Sequence, residues 1–357
     1  MVQRAPVCLV RRTRSTVSVS RGFLRMRNAV LVSLALVCAL GCSPGPEGAG
    51  EQSNVQVFGV DVGPALGAEG PTDAPAKPKI IGASLLTQGH QFYRDLVGAM
   101  ETEAAKQGFA LRIQYAEFQS PKQINQIETF VQQGVDALIV APCDSAGIAP
   151  TINDAAAKGI PVFTADIAAH NAKVTSHIAS DNVLGGKLIG EYLGKLLGGK
   201  GNVAIIDNAE VASVQERVAG FEEAIKAFPE ITIVQKAPGY GRRDKALRAA
   251  QDVIQAQSDL AAIFGINDDS ALGALAALES AGLQDKVVIV GYDGTPEARD
   301  TIRAGKALKA DTVQHPEEIG RITVQTIADH FAGRPVPPVV PVRVDIIDKA
   351  SLDAEQK

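Results

Sequence analysis

Residues 260–296 read LAAIFGINDDSALGALAALESAGLQDKVVIVGYDGTP, and this stretch decides the fold. Two short apolar runs, Ala261–Phe264 and Val287–Val290, have the length and β-branched content of buried strands. Between them, Ser270 to Gly282 places Ala and Leu at helical spacing and stops at a glycine suited to a helix C-cap. Strand, helix, strand is a βαβ unit, which requires a parallel sheet and a right-handed crossover. Polar residues follow each strand: Asn267 and Asp268 after the first, Tyr292 and Asp293 after the second. Ligands of open α/β sheets sit at the carboxyl ends of strands, so the unit presents an amide, carboxylates and a phenol there.

The same alternation extends outward in both directions. Strands are expected at Ile80–Leu85, Leu111–Tyr115, Ala137–Val140, Pro161–Ala165 and Val174–Ala179. Helices are expected at Arg94–Gln107, Pro121–Gln133 and Ile148–Lys158, and residues 86–93 (LTQGHQFY) read as a polar and aromatic loop. From Ser180 the pattern starts afresh with a helix. Its glycines Gly185, Gly186, Gly190 and Gly194 recur near four-residue spacing, which lets a neighbouring backbone approach closely. Strand 202–207, helix 212–228, strand 232–235 and helix 243–257 then lead into the opening unit. A strand over 305–313, a helix over Pro316–Phe331 and one last strand over Val339–Ile347 complete the chain. Two similar βα sets with late additional elements imply α/β architecture in two lobes, with connecting strands shared between them.

The chain has 357 residues and is nearly half apolar, enough for two cores. The formal net charge of -5 hides an uneven distribution. Residues 1–41 carry seven arginines and no acid, so removing those seven charges leaves -12 on the rest. Nucleic-acid binding depends on Lys and Arg against phosphate, and an acidic domain argues against it. Only Cys143 of the four cysteines lies in the folded part, which excludes an internal disulfide framework there. It reads as an inert small side chain.

Catalytic motifs are absent. There is no HExxH, no GxSxG and no Cys-x-x-Cys, and the five histidines are scattered. Residues 194–200 (GKLLGGK) approach a phosphate-loop spacing. Gly201 stands where that loop needs Ser or Thr, and the stretch falls at a helix end. An enzyme is therefore not expected, nor any metal or cofactor.

Residues 26–42 read MRNAVLVSLALVCALGC: a basic start at Arg25 and Arg27, then a twelve-residue apolar region, Ala29 to Leu40, too short to span a bilayer comfortably. The segment resembles a bacterial lipoprotein signal, with Ala39-Leu40-Gly41-Cys42 as its lipobox and Ala39 where Leu is usual. That resemblance implies cleavage of 1–41 and lipid attachment at Cys42; Met26 is an alternative start. Residues 42–78, rich in Gly, Pro, Ala and Glu, read as a flexible tether.

Four stretches then coincide in order: SHIASDNVLGGK (176–187), ERVAGF (216–221), FGINDDSALGALAAL (264–278) and GYDGTP (291–296). Together they resemble the periplasmic sugar-binding proteins of ABC importers, close to the ribose-binding members, over about Lys79 to Ile347. The resemblance implies a type I periplasmic binding protein: two Rossmann-like lobes with parallel sheets joined by three hinge strands. It divides the chain into 79–180 with 315–343, and 181–314 with 344–357. It implies a monomer that takes a ribose-like aldose or related monosaccharide and passes it to a permease and its ATPase. The alternative is a sensor presenting the sugar to a chemoreceptor or histidine kinase. The implied ligand contacts are His90, Phe92, Tyr93, Asp166, Arg217, Tyr240, Asn267, Tyr292, Asp293 and Gln314. Ile167 and Ala141 stand where ribose binders carry Arg and Asn, and Gly241 stands where they carry a stacking ring, with Tyr240 one residue away. The residue types suit a sugar: flat bidentate groups satisfy paired hydroxyls, and rings cover C–H faces.

Overall fold

The structure is a computed structural model and describes residues 77–355. The lipobox, Cys42 and nearly all of the expected tether lie outside the described residues. Chain order runs β1 (Ile80–Leu85), α1 (Gln91–Gln107), β2 (Ala110–Tyr115), α2 (Ser120–Gln132), β3 (Ala137–Val140), α3 (Ala149–Ala157), β4 (Val162–Ala165) and β5 (Ser176–Ser180). It continues α4 (Asn182–Leu196), β6 (Lys200–Asp207), α5 (Ala212–Ile225), β7 (Glu230–Pro238), α6 (Arg243–Ala256), β8 (Leu260–Gly265), α7 (Asp268–Ala281) and β9 (Val288–Asp293). It ends α8 (Pro296–Arg303), β10 (Leu308–Val313), α9 (Pro316–Phe331), β11 (Val339–Val342), β12 (Asp345–Asp348) and α10 (Lys349–Ala354).

The described strands form two six-stranded sheets, ordered β2-β1-β3-β4-β5-β11 and β7-β6-β8-β9-β10-β12. All the pairings are parallel except β10 with β12. Both sheets thus repeat one doubly wound order, with a switch point beside β1 in the first and β6 in the second. Neighbouring residues leave each strand on opposite faces. Val203 and Ile205 join the apolar layer under α4 and α5, while Ala204 and Ile206 join the layer under α6 and α7. The chain passes between lobes at three places, after Ser180, after Val313 and after Val342.

The α4–α5 contact explains the spaced glycines. A Cβ on Gly186 would stand 2.0 Å from the Arg217 carbonyl oxygen, and one on Gly220 would stand 2.1 Å from that of Val183. Two backbones at that distance leave no room for any side chain.

Three expectations are corrected. Residues 86–93 are not wholly loop: α1 begins at Gln91, because Phe92 and Tyr93 on its first turn drop into the core. The single last strand is two strands in different sheets, broken at Arg343–Val344 where the chain changes lobes; Pro341 is tolerated because β11 is an edge strand. The sequence reading has no helix between Pro296 and Arg303, yet α8 forms there, with Pro296 in its first turn and Thr295 accepting from the Ala298 amide.

Candidate functional site

The carboxyl ends of both sheets face one cleft. From the first lobe come four rings. Phe92 and Tyr93 are 5% and 2% exposed and meet edge to face at 5.4 Å. His90, just before α1, stands 5.3 Å from Phe118, which follows β2. Tyr93 donates its hydroxyl to Asp166 Oδ2 at 2.7 Å. Asp166 follows β4 directly, with φ +69° in the left-handed region. Burial pushes its carboxyl up, opposed by Arg217 and by the Tyr93 hydroxyl.

From the second lobe come charge and amides. Arg217 on α5 is 4% exposed. Its Nε donates to Asn182 Oδ1 at 2.9 Å and its Nη1 to the Ile266 carbonyl at 2.9 Å. The guanidinium lies 4.0 Å over the Tyr292 ring and 3.8 Å from Asp293 Oδ1. These four contacts hold the planar fork in place. Asp293 accepts from Gln314 Nε2 at 2.7 Å. Burial pushes its carboxyl well up, Arg217 pulls it down, and nearby Asp268 adds to the rise.

One cavity gathers eight of the ten residues singled out above: His90, Phe92, Tyr93, Asp166, Arg217, Asn267, Asp293 and Gln314. Two are elsewhere. Tyr292 is 0% exposed and forms a floor beneath Arg217; its hydroxyl donates to Asn182 Oδ1 at 3.4 Å, and it occupies the space a Cβ on Gly185 would need. It follows the strand pleat to the face opposite Asp293. Tyr240, with φ +55°, turns outward and is 43% exposed, leaving Gly241 to line the cavity. Asn267 has two roles. Its Oδ1 accepts from the Ser270 amide at 2.9 Å to cap α7, and its Nδ2 donates to the Gly241 carbonyl at 3.1 Å.

Phe118 and Asn208 line the cavity without having been singled out. The signal for Asn208 was present: it follows a strand beside the switch point, as Asn267 does. Phe118 carried no such signal, because its inward turn rests on the left-handed backbone of Glu117 and Phe118. Leu86, Ile167, Val211, Val214 and Ile266 complete an apolar surround.

Polar contacts join the lobes at the rim. Ser145 donates its amide to the Glu210 carbonyl at 3.0 Å and accepts from the Ala212 amide at 2.8 Å. His90 Nε2 stands 3.4 Å from Asp269 Oδ2, and His170 pairs with Gln215 at 3.2 Å. Burial holds the His90 ring below the usual histidine range, with Asp269 opposing. Cys143 is buried and its thiol is pushed up to about 12 by that burial, so it stays protonated and unreactive. Among the described residues no group of His, Cys, Asp and Glu is placed to hold a metal, and no helix is long and apolar enough to cross a membrane. The arrangement can donate to and accept from hydroxyls and cover C–H faces.

Residues 81–335 match the periplasmic binding protein domain. The ribose import binding protein RbsB of Bacillus subtilis (strain 168) is 35% identical over 257 residues, covering 72% of this chain and 83% of that protein. An ABC transporter solute-binding protein from Mycobacterium smegmatis, solved with bound glycerol, is 33% identical with a TM-score of 0.73, covering 78% of this chain and 96% of that one. The fructose-binding periplasmic domain of a hybrid two-component system is 26% identical with a TM-score of 0.74, covering 78% and 93%.

Proposed function

The chain belongs to the periplasmic binding protein family, a family of binding proteins and not of enzymes, and on that premise we propose that it captures a small neutral sugar. The ligand is a ribose-like aldose or related monosaccharide, held between the lobes and delivered unchanged to the permease and ATPase of an ABC importer. One observation carries this reading: the two walls of the cavity are chemically complementary to a sugar. Rings on the first lobe suit a C–H face. Asp166, Arg217, Asp293 and Gln314 offer bidentate partners for hydroxyls that would cost about 1–3 kcal/mol each if buried unpaired.

The protein acts as a monomer in the periplasm or cell envelope, anchored through a lipid on Cys42, with residues beyond it serving as the tether. The lobes are 79–180 with 315–343 and 181–314 with 344–357, closing on the ligand by hinge bending at the three crossings. Ile167, Ala141 and Gly241 favour a relative of ribose over ribose itself.

A thermal-shift screen of pentoses, hexoses and polyols tests the binding claim. A ligand at 100 times its dissociation constant adds about 2.7 kcal/mol of stability. No shift with any carbohydrate at millimolar dose ends this reading. Membrane fractionation of wild type and Cys42→Ser tests the anchor, with release of the variant expected. A sensor role is the second reading, favoured by the likeness to the periplasmic domain of a two-component system. Ligand uptake that survives deletion of the gene would select it over import.

A further inference from the structure

Among the described residues, the second-lobe wall contributes no ring to the cavity. Every ring lining it, His90, Phe92, Tyr93 and Phe118, comes from the first lobe. The corner facing them is built from Asn208, Gly241 and Asn267. Gly241 has φ +65°, and a Cβ there would lie 3.5 Å from Asn267 Nδ2 and 4.0 Å from Asn208 Nδ2, so backbone and two amides close this corner. Asn267 is largely committed to the α7 cap and to the Gly241 carbonyl. Asn208 is not. It is 8% exposed, and its Oδ1 is buried with no hydrogen-bond partner among the described residues. Gln314 Oε1 is a second buried acceptor with no partner, on the same cavity. An unpartnered buried carbonyl oxygen is costly, and such groups in native proteins call for an explanation.

We infer that Asn208 is a ligand-binding and specificity-determining residue whose Oδ1 accepts from a ligand hydroxyl in this corner, with Gln314 Oε1 accepting a second. The ligand class follows. Its one face is apolar enough to lie on the first-lobe rings, while its other face presents hydroxyl donors to Asn208 and Gln314, where a flat C–H face would leave both acceptors unpaired. Neutral polyols, cyclitols and sugars with a hydroxyl standing out of the ring plane meet this demand.

The inference rests on the sugar-binding reading and is tested apart from it. Wild type, N208L and N208D are titrated calorimetrically with D-ribose, D-allose, xylitol and myo-inositol. For whichever of these binds wild type, N208L is expected to bind at least about tenfold more weakly, as loss of one buried hydroxyl partner requires. N208D keeps an acceptor oxygen and is expected within about fivefold of wild type. Should N208L not fold, N208A gives the same comparison. Equal affinity of wild type and N208L, or N208D as weak as N208L, overturns the inference and leaves the sugar-binding reading standing. If wild type binds none of the four, the three proteins are titrated with the ligand found in the screen of pentoses, hexoses and polyols, and a screen without any ligand overturns both.

Discussion

The two walls of the cleft come from sheets of the same strand order, yet they are chemically unlike. The first-lobe wall is made of rings with a single carboxylate, Asp166, held by the Tyr93 hydroxyl at 2.7 Å. The second-lobe wall has no ring and places Arg217, Asn208, Asn267 and Asp293 there. Of the phenols it could have offered, Tyr292 is beneath Arg217 and works as a support, and Tyr240 turns outward. Rings need only a flat contact, so they tolerate small errors of position. Hydroxyl partners need fixed geometry, which is why Arg217 is held by Asn182, the Ile266 carbonyl and Tyr292 before any ligand arrives.

The largest expected effect tests that support. Arg217→Ala strips the Ile266 carbonyl and Asn182 Oδ1 of a buried charged donor, and each such loss costs about 1–3 kcal/mol. Urea unfolding should show that loss; a change below about 1 kcal/mol would mean the second wall does not depend on this fork.

The lobes should also differ in the sign of their pH response. In the first, burial lowers the His177 ring to about 4 from 6.5, while Thr164 Oγ1 bonds its Nδ1 at 2.8 Å. The unfolded chain binds that proton first. His177 therefore contributes stability that is complete above pH 6.5 and is lost as pH falls toward 4, amounting to no more than about 3 kcal/mol. Thermal midpoints between pH 7 and 4 should fall less steeply in His177→Gln than in wild type. In the second lobe, Asp268 and Asp311 are in hydrogen-bond reach of one another and fully buried, and burial pushes both carboxyls up. Neither Asp311 oxygen nor Asp268 Oδ1 finds a donor elsewhere among the described residues, so one proton shared between the two satisfies the pair. A raised carboxyl stabilises below its usual range and loses that contribution as pH rises toward its folded value. Asp311→Asn supplies a permanent donor and should flatten this loss; an unchanged slope on the alkaline side would refute the shared proton.

Two smaller effects separate the roles within the first wall. Asp166→Ala should weaken ligand binding by about 1.5–3 kcal/mol, since a charged acceptor is removed. Tyr93→Phe keeps the ring and removes only the hydroxyl that holds Asp166, and should cost about 1 kcal/mol of affinity. Calorimetry on the two variants sharpens the contrast if their order holds, and breaks it if Tyr93→Phe proves the more damaging.

Much of this was legible in the residues. Helix α9 begins and ends where Pro316 and Phe331 imply, and α7 ends on Gly282 in the left-handed conformation that its C-cap requires. The spaced glycines of α4 announced a close neighbour, though not that the neighbour was α5. Residues 86–93 look like a loop in sequence because polar neighbours hide a first helical turn whose apolar anchors are Phe92 and Tyr93. Residues 339–347 look like one strand in sequence because the apolar alternation continues across the point where the chain changes sheets.

Chain order alone determined the βα alternation, the parallel sheets and the strand ends where ligand chemistry collects, because a crossover fixes which end of every strand faces the same side. Which of two adjacent side chains turns into the cleft was decided only in three dimensions. Tyr292 and Asp293 are neighbours in sequence and part to opposite faces of one pleated strand. Phe118 reaches the cavity through a left-handed turn that leaves no periodic trace in the sequence, whereas Asn208 stands at a strand end that chain order does mark.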